Sequence, residues 1–175
     1  MSEKNWHELS RERVYDGYRK VEKVQYELPS GRVVDFDIRR DEQVVDIMAL
    51  TTANEVVLIK QFRPGPNKIL LELPSGAIDG SEYHEQAAAR ELLEETGYAG
   101  DLELLTTYFD SPYSTMIRYF YLARNCKKVA DQSLDEFEDI EVCLVSLREF
   151  RQRLRSGEIV QGKIGYIGLD ILNLL

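Results

Sequence analysis

An α/β fold is predicted, a sandwich of helices around a mixed β-sheet with an N-terminal β-extension, and three observations predict it. Apolar, β-branched runs at residues 44–52 and 56–62 have the length and composition of buried strands. A segment of helical spacing that stops at Gly97 interrupts the strand pattern, glycine being the residue that ends many helices in a left-handed turn. Helical spacing returns at residues 147–154 and 167–175, so the order is strands, helix, strands and two helices, which is a layered α/β arrangement.

Taken in order, residues 21–28 and 32–38 read as strands around Pro29-Ser30-Gly31, a hairpin turn. They form an extension over residues 1–40, and residues 41–175 form the main domain. The strands at 44–52 and 56–62 are joined by a polar stretch around Asn54. Residues 69–73 make a further strand that leads through Pro74 and Ser75 into the glutamate-rich helix, for which Ser81 is the expected N-cap. Strands at 102–109, 117–123 and 141–145 follow, then the two helices. No repeat, linker or low-complexity segment appears.

On the central helix, residues turn by about 100° each, so Glu91 and Glu95 stack one turn apart with Glu94 beside them. The stripe expected to pack on the core is Ala89, Leu92, Leu93 and Thr96, with Ala87 and Ala88 on the acidic side. Carboxylates at these spacings repel by roughly 0.2–0.5 kcal/mol per pair, and Arg90 is the only Lys or Arg between Glu82 and Gly97. A cation must compensate. Hard divalent ions take oxygen ligands, and Mg²⁺ is held by a few carboxylates plus substrate phosphates, so the helix is expected to hold Mg²⁺ or Mn²⁺. A solvated acidic face is the alternative, but such faces intersperse charges of both signs.

Composition narrows the partners. At 175 residues with a net charge of −9, the chain lacks the basic footprint that nucleic acid requires. Cys126 and Cys143 lie in apolar, strand-like runs, which suits buried thiols better than a disulfide or metal site. The polar start and the absence of an apolar run near ~18 residues argue against a signal peptide or membrane span, and a cytoplasmic protein is expected. His7 and His84 do not form a ligand set, and His84 is expected at the surface near the helix start.

Gly76, Glu82 and Arg90-Glu91-Leu92-Leu93-Glu94-Glu95-Thr96-Gly97-Tyr98 fit the pattern G-x5-E-x7-R-E-U-x-E-E-x-G-U, U being aliphatic or aromatic, without departure. At ordinary residue frequencies a chance fit is on the order of one in several million. This segment is identified as a Nudix box. With Gln61-Phe62-Arg63, Glu72-Leu73-Pro74-Ser75-Gly76, Ser111-Pro112 and the acidic run from Asp135 to Ile140, the chain resembles the Nudix hydrolases that act on ADP-ribose and other nucleoside diphosphate sugars. Tyr113 is a departure, because many relatives carry glycine after the proline.

The resemblance implies a Nudix fold in which the Ser75 carbonyl, Glu91 and Glu95 bind metal, Glu94 shares an ion and Glu138 completes the set with substrate present. It implies Glu136 as general base, with an exposed loop acid as the alternative. Arg90 is expected to pair with Glu94 and hold the carboxylates in place, and Glu82 to be structural or a helix-dipole partner. Arg63, Arg39 and Arg40 are candidates to pair with the diphosphate or terminal ribose, a surface role staying open for each. Ser111 and Pro112 belong to the substrate loop, and Tyr26, Phe36 and Tyr18 are candidates to clamp the base. By the same resemblance, two or three divalent ions would bridge the pyrophosphate oxygens during hydrolysis of ADP-ribose to AMP and ribose 5-phosphate, and the enzyme would be a homodimer exchanging its N-terminal region. A Nudix hydrolase of GDP-mannose, nucleoside triphosphates or dinucleotide polyphosphates stays open, as does a non-catalytic nucleotide-sugar sensor.

Overall fold

The structure, a computed structural model, describes residues 5–175. The reading of a polar, leaderless start rests partly on residues 1–4, which lie outside the described residues. Two compact units form: one from the residues up to Gln43 together with Tyr108–Arg118, the other from Val44–Thr107 and Tyr119–Leu175.

The first unit holds a three-stranded antiparallel sheet in the order β1-β2-β3, from β1 (His7–Asp16), β2 (Lys20–Glu27) and β3 (Val33–Arg39). The hairpin of β2 and β3 matches the strands expected at 21–28 and 32–38. β1 was not expected from sequence: its ten residues are all exposed and half of them are charged, so they carry none of the alternation that marks a half-buried strand. Across the sheet, Trp6, Tyr26 and Phe36 form an aromatic cluster with centroids 5.7–6.1 Å apart, and Tyr113 stacks on Phe36 at 6.1 Å.

The second unit is built on a sheet ordered β10-β5-β4-β9-β8, with β6 paired to β5 and β7 to β4. Its strands are β4 (Val44–Thr51), β5 (Glu55–Arg63), β6 (Lys68–Glu72), β7 (Ser75–Ala77), β8 (Tyr98–Phe109), β9 (Ile117–Lys128) and β10 (Ile140–Ser146). β4 is buried along nearly its whole length because helices cover both faces, and successive side chains on a strand point to opposite faces. Val45, Ile47 and Ala49 pack with Tyr121, Ala123 and Ala87, Ala88 and Leu92 of α1 (His84–Thr96). Met48 and Phe120 point the other way, toward Gly168 of α3 (Gly162–Ile171). A sandwich of helices around a sheet results, as the sequence implied. α2 (Leu147–Ser156) starts at Ser146, whose hydroxyl accepts from the Glu149 N–H.

α3 starts earlier than expected and ends before the C-terminus. Glycines at 162, 165 and 168 weaken its sequence signal, yet two serve close packing: a Cβ on Gly165 would lie 2.5 Å from Leu154, and one on Gly168 would lie 2.3 Å from the Met48 sulfur. Among the described residues no helix is long and apolar enough to cross a membrane.

Candidate active site

α1 is positioned by small residues. Ala87 and Ala88 are fully buried and let the helix approach the sheet, where it meets β4 and β7. The expected packing stripe is therefore corrected. Leu92 and Thr96 are buried, but Ala89 and Leu93 are exposed, and it is Ala87, Ala88 and Glu95 that complete the inner face. The helix is rotated so that Glu91 and Glu95 face inward rather than toward open solvent. The N-cap is Tyr83, not Ser81: Gln86 accepts from the Tyr83 N–H at 2.9 Å in a capping box. Gly97 ends the helix with φ 74°, and its N–H donates to the Leu93 carbonyl at 2.7 Å.

Glu95 is the deepest of the acids, with 2% of its surface exposed. One oxygen accepts from the Ser75 N–H at 2.9 Å. Burial pushes its carboxyl up to about 9, the Ser75 bond opposes that rise, and the charges of Glu91 and Glu138 add to it. Glu91 is half-buried and is raised too, by burial first, with Arg90 opposing. Its carboxylate lies directly over Gly76, where a Cβ would fall 1.9 Å from the carboxylate carbon. Gly76 is thus glycine because it makes room for Glu91.

Arg90 gathers the surrounding acids. Its guanidinium donates to Glu82 at 2.6 Å, Glu91 at 2.8 Å, Glu94 at 3.1 Å and the Ala77 carbonyl at 3.0 Å. The expected pairing with Glu94 is present, and Glu82, which also accepts from the Asp79 N–H at 2.8 Å, is its strongest partner. Arg90 therefore links β7, the turn before the helix and the acidic face.

Could these residues hold a metal? Among the described residues no three His, Cys, Asp or Glu side chains close on one point, since Glu91 and Glu94 grip Arg90 instead. The donor chemistry nevertheless fits a hard divalent cation. Glu95 and Glu91 are carboxylates whose charge burial disfavours, Glu138 adds a like charge, and all donors are oxygens. A bound dication removes that penalty.

The acidic loop separates its two candidates. Glu138 accepts from the Asp135 N–H at 3.1 Å, and its charge is felt by Glu91, Glu95 and Arg63. Glu136 is exposed and, among the described residues, takes part in none of the hydrogen bonds of the loop. Arg63 forms a two-pronged pair with Glu72, both bonds at 2.8 Å, and the Glu72 side chain is 5% exposed. Its guanidinium is thus committed to Glu72 and not free for a ligand in this arrangement.

The remaining substrate candidates belong to the first unit. Arg39 is held by Asp110 at 2.8 Å and Asp41 at 3.2 Å, which makes it a structural link within that unit. Arg40 is exposed. Tyr26 sits in the aromatic cluster with Phe36 and donates to Glu8 at 3.3 Å, whereas Tyr18 is 95% exposed beneath Arg19. The Ser111 hydroxyl accepts from the Tyr113 N–H at 3.2 Å across Pro112, shaping that turn.

Sequence reasoning missed several contributors. His84 is no free surface residue: it stacks on Tyr119 with centroids 4.4 Å apart and is hydrogen-bonded to Tyr121, pinning the start of α1. Gln161 grips both polar groups of Leu73, at 3.0 and 3.2 Å, just before Pro74 and Ser75. Neither side chain belongs to a motif, and both act across long stretches of chain. The Glu72–Arg63 pair had a signal in the hairpin register, in which Arg63 and Glu72 lie on one face of β5 and β6.

Comparisons with known proteins bear on the fold and the family. A model of the NUDIX domain matches residues 41–163. The ADP-ribose pyrophosphatase of Bacillus subtilis (strain 168) is 32% identical over 143 residues, covering 80% of this chain and 77% of that protein. A methanol dehydrogenase activator of Bacillus methanolicus is 30% identical over 161 residues, covering 89% and 86%. A crystal structure of an ADP compounds hydrolase superposes with a TM-score of 0.81, 22% identity and 97% coverage of both chains.

Proposed function

This chain belongs to the Nudix family, and from that premise we propose that it is a pyrophosphohydrolase of nucleoside diphosphate sugars, cleaving ADP-ribose to AMP and ribose 5-phosphate. The observation that carries the reading is the buried Glu95 beside Glu91, charge-disfavoured carboxylates inside the matched domain. The similarity to an ADP-ribose pyrophosphatase supplies the substrate class.

In this reading the Ser75 carbonyl, Glu91, Glu94, Glu95 and Glu138 hold Mg²⁺ or Mn²⁺. The ions, when bound, neutralise the pyrophosphate oxygens and make the attacking water more acidic. Arg90 keeps Glu91 and Glu94 in position through its network. Glu136 accepts the proton of the water that attacks phosphorus, and the bridging oxygen leaves with the other phosphate. Its exposure in the loop supports this role, since a base must exchange its proton with solvent. Arg63 acts through Glu72 until substrate competes for it. Tyr26, Arg40, Ser111 and Pro112 are the substrate contacts carried by the first unit.

A homodimer is part of the proposal. β1 is exposed along its length, with Leu9, Val14 and Tyr15 about half exposed, and edge strands of that kind are normally covered. The net charge of −9 supports a small-molecule substrate over nucleic acid. Two unpaired thiols, both pushed up by burial, are in keeping with a cytoplasmic setting. The test is a Mg²⁺-dependent panel of ADP-ribose, GDP-mannose, other diphosphate sugars and nucleoside triphosphates. The highest kcat/KM is expected for ADP-ribose. Cleavage of triphosphates alone would overturn the substrate class, and binding of ADP-ribose without cleavage would make the protein a sensor.

A further inference from the structure

We propose that Gln132 is a positioning residue that fastens the acidic loop to the metal-binding helix, and so sets where Glu138 stands relative to Glu95. The inference rests on the catalytic reading of that loop given above. α1 ends at Gly97, so the last carbonyls of the helix have no partner within it. The loop supplies those partners. The Ser133 N–H donates to the Glu94 carbonyl at 2.9 Å, and Val129 and Ala130 donate to the Gly97 carbonyl at 2.9 and 3.2 Å. Gln132 contributes a side-chain donor: its Nε2 reaches the Glu95 carbonyl at 2.6 Å and the Ile140 carbonyl at 3.1 Å.

This pair of bonds has a particular consequence. Gln132 opens the segment that holds Asp135, Glu136 and Glu138, and Ile140 closes it as the first residue of β10. One amide group therefore ties both ends of the loop together and anchors them to the backbone of Glu95 itself. Within the loop, Glu138 and Asp135 exchange bonds at 3.0 and 3.1 Å, making a turn that the outer staple encloses. An amide suits the task because its two N–H groups can serve two carbonyls at once without adding a charge. Glutamate at this position would keep the shape and lose both donors.

The experiment compares Gln132→Ala, Gln132→Glu and Glu138→Gln with the double variant Gln132→Ala/Glu138→Gln, using Mg²⁺ and ADP-ribose. The expected result is a fall in kcat on the order of 10- to 100-fold for both Gln132 variants, with KM little changed. Hydrogen exchange should quicken at the amides of residues 133–139 and stay unchanged in β4 and β5. The double variant should be no slower than Glu138→Gln alone, because the staple acts through that residue. A fully active Gln132→Glu would overturn the proposal, since only packing would then matter. Multiplied losses in the double variant would also overturn it while sparing the functional reading. Full activity in Glu138→Gln would instead sink the loop's catalytic role, and this inference with it.

Discussion

Replacing Gly76 with alanine should separate chemistry from folding. Gly76 lies in β7 without a left-handed φ, so the backbone accepts alanine there. The new methyl carbon would fall 1.9 Å from the Glu91 carboxylate carbon and 2.0 and 2.3 Å from its oxygens. Ordinary contact begins at 3.4 Å, so the carboxylate must retreat by about 1.5 Å. Glutamate is flexible and can do so by turning toward Arg90, already 2.8 Å away. The fold should thus lose little, and the smaller entropy of the unfolded chain contributes roughly 0.4–1 kcal/mol in the variant's favour. Misplacing a reacting constellation by ~1 Å costs on the order of 100-fold in rate. Steady-state kinetics with Mg²⁺ and ADP-ribose, beside thermal melting, should therefore show kcat down by about that factor with Tm unchanged or slightly higher. Wild-type kcat would refute the claim that Gly76 exists to seat Glu91, and a joint collapse of Tm and kcat would make it a packing residue.

Other outcomes follow from the same geometry. Because the metal-free folded state holds a proton on Glu95 that the unfolded chain releases, stability of the chelated protein should fall as pH rises from about 4.5 to about 9, by up to ~1.4 kcal/mol per pH unit. Denaturant titrations of Glu95→Gln should lack that slope, and an unchanged slope would place the titration elsewhere. Mg²⁺ should raise Tm more at pH 8 than at pH 6, since ion binding must displace the proton. Arg90→Lys keeps the charge but not the four-way contact, and kcat should drop on the order of 10- to 100-fold. Arg63→Ala leaves the buried Glu72 carboxylate unpaired and should cost about 2–3 kcal/mol by urea unfolding, less than a fully enclosed pair because Arg63 is partly exposed. Glu72→Gln in that background should recover part of the loss.

The strands that fill the core were legible because β4 and β5 are buried on both faces and read as unbroken apolar runs. The acidic helix was legible from its spacing. What the sequence hid was the rotation of that helix, since Ala87 and Ala88 are small enough to fit either side and only contact with β4 decides between them. β1 was hidden for a related reason: as an exposed edge it buries nothing, so its polar residues carry no period. The supports of the site were also invisible. His84, Gln132 and Gln161 work by reaching partners 37, 37 and 88 residues away, and single polar residues give no local pattern to read. Arg63, after an apolar strand, and Arg39, in the N-terminal extension, were recognised as candidate ligand charges, but their partners Glu72 and Asp110 are assigned only by the folded chain.

Release of AMP and ribose 5-phosphate from ADP-ribose, with and without Mg²⁺, in wild type and Glu95→Gln of matched Tm, tests the central claim most directly. The account predicts metal-dependent cleavage by the wild type and a loss on the order of 1,000-fold or more in the variant, as expected when a buried metal carboxylate is neutralised. Cleavage at the wild-type rate by a folded Glu95→Gln, or cleavage indifferent to chelation, would contradict it.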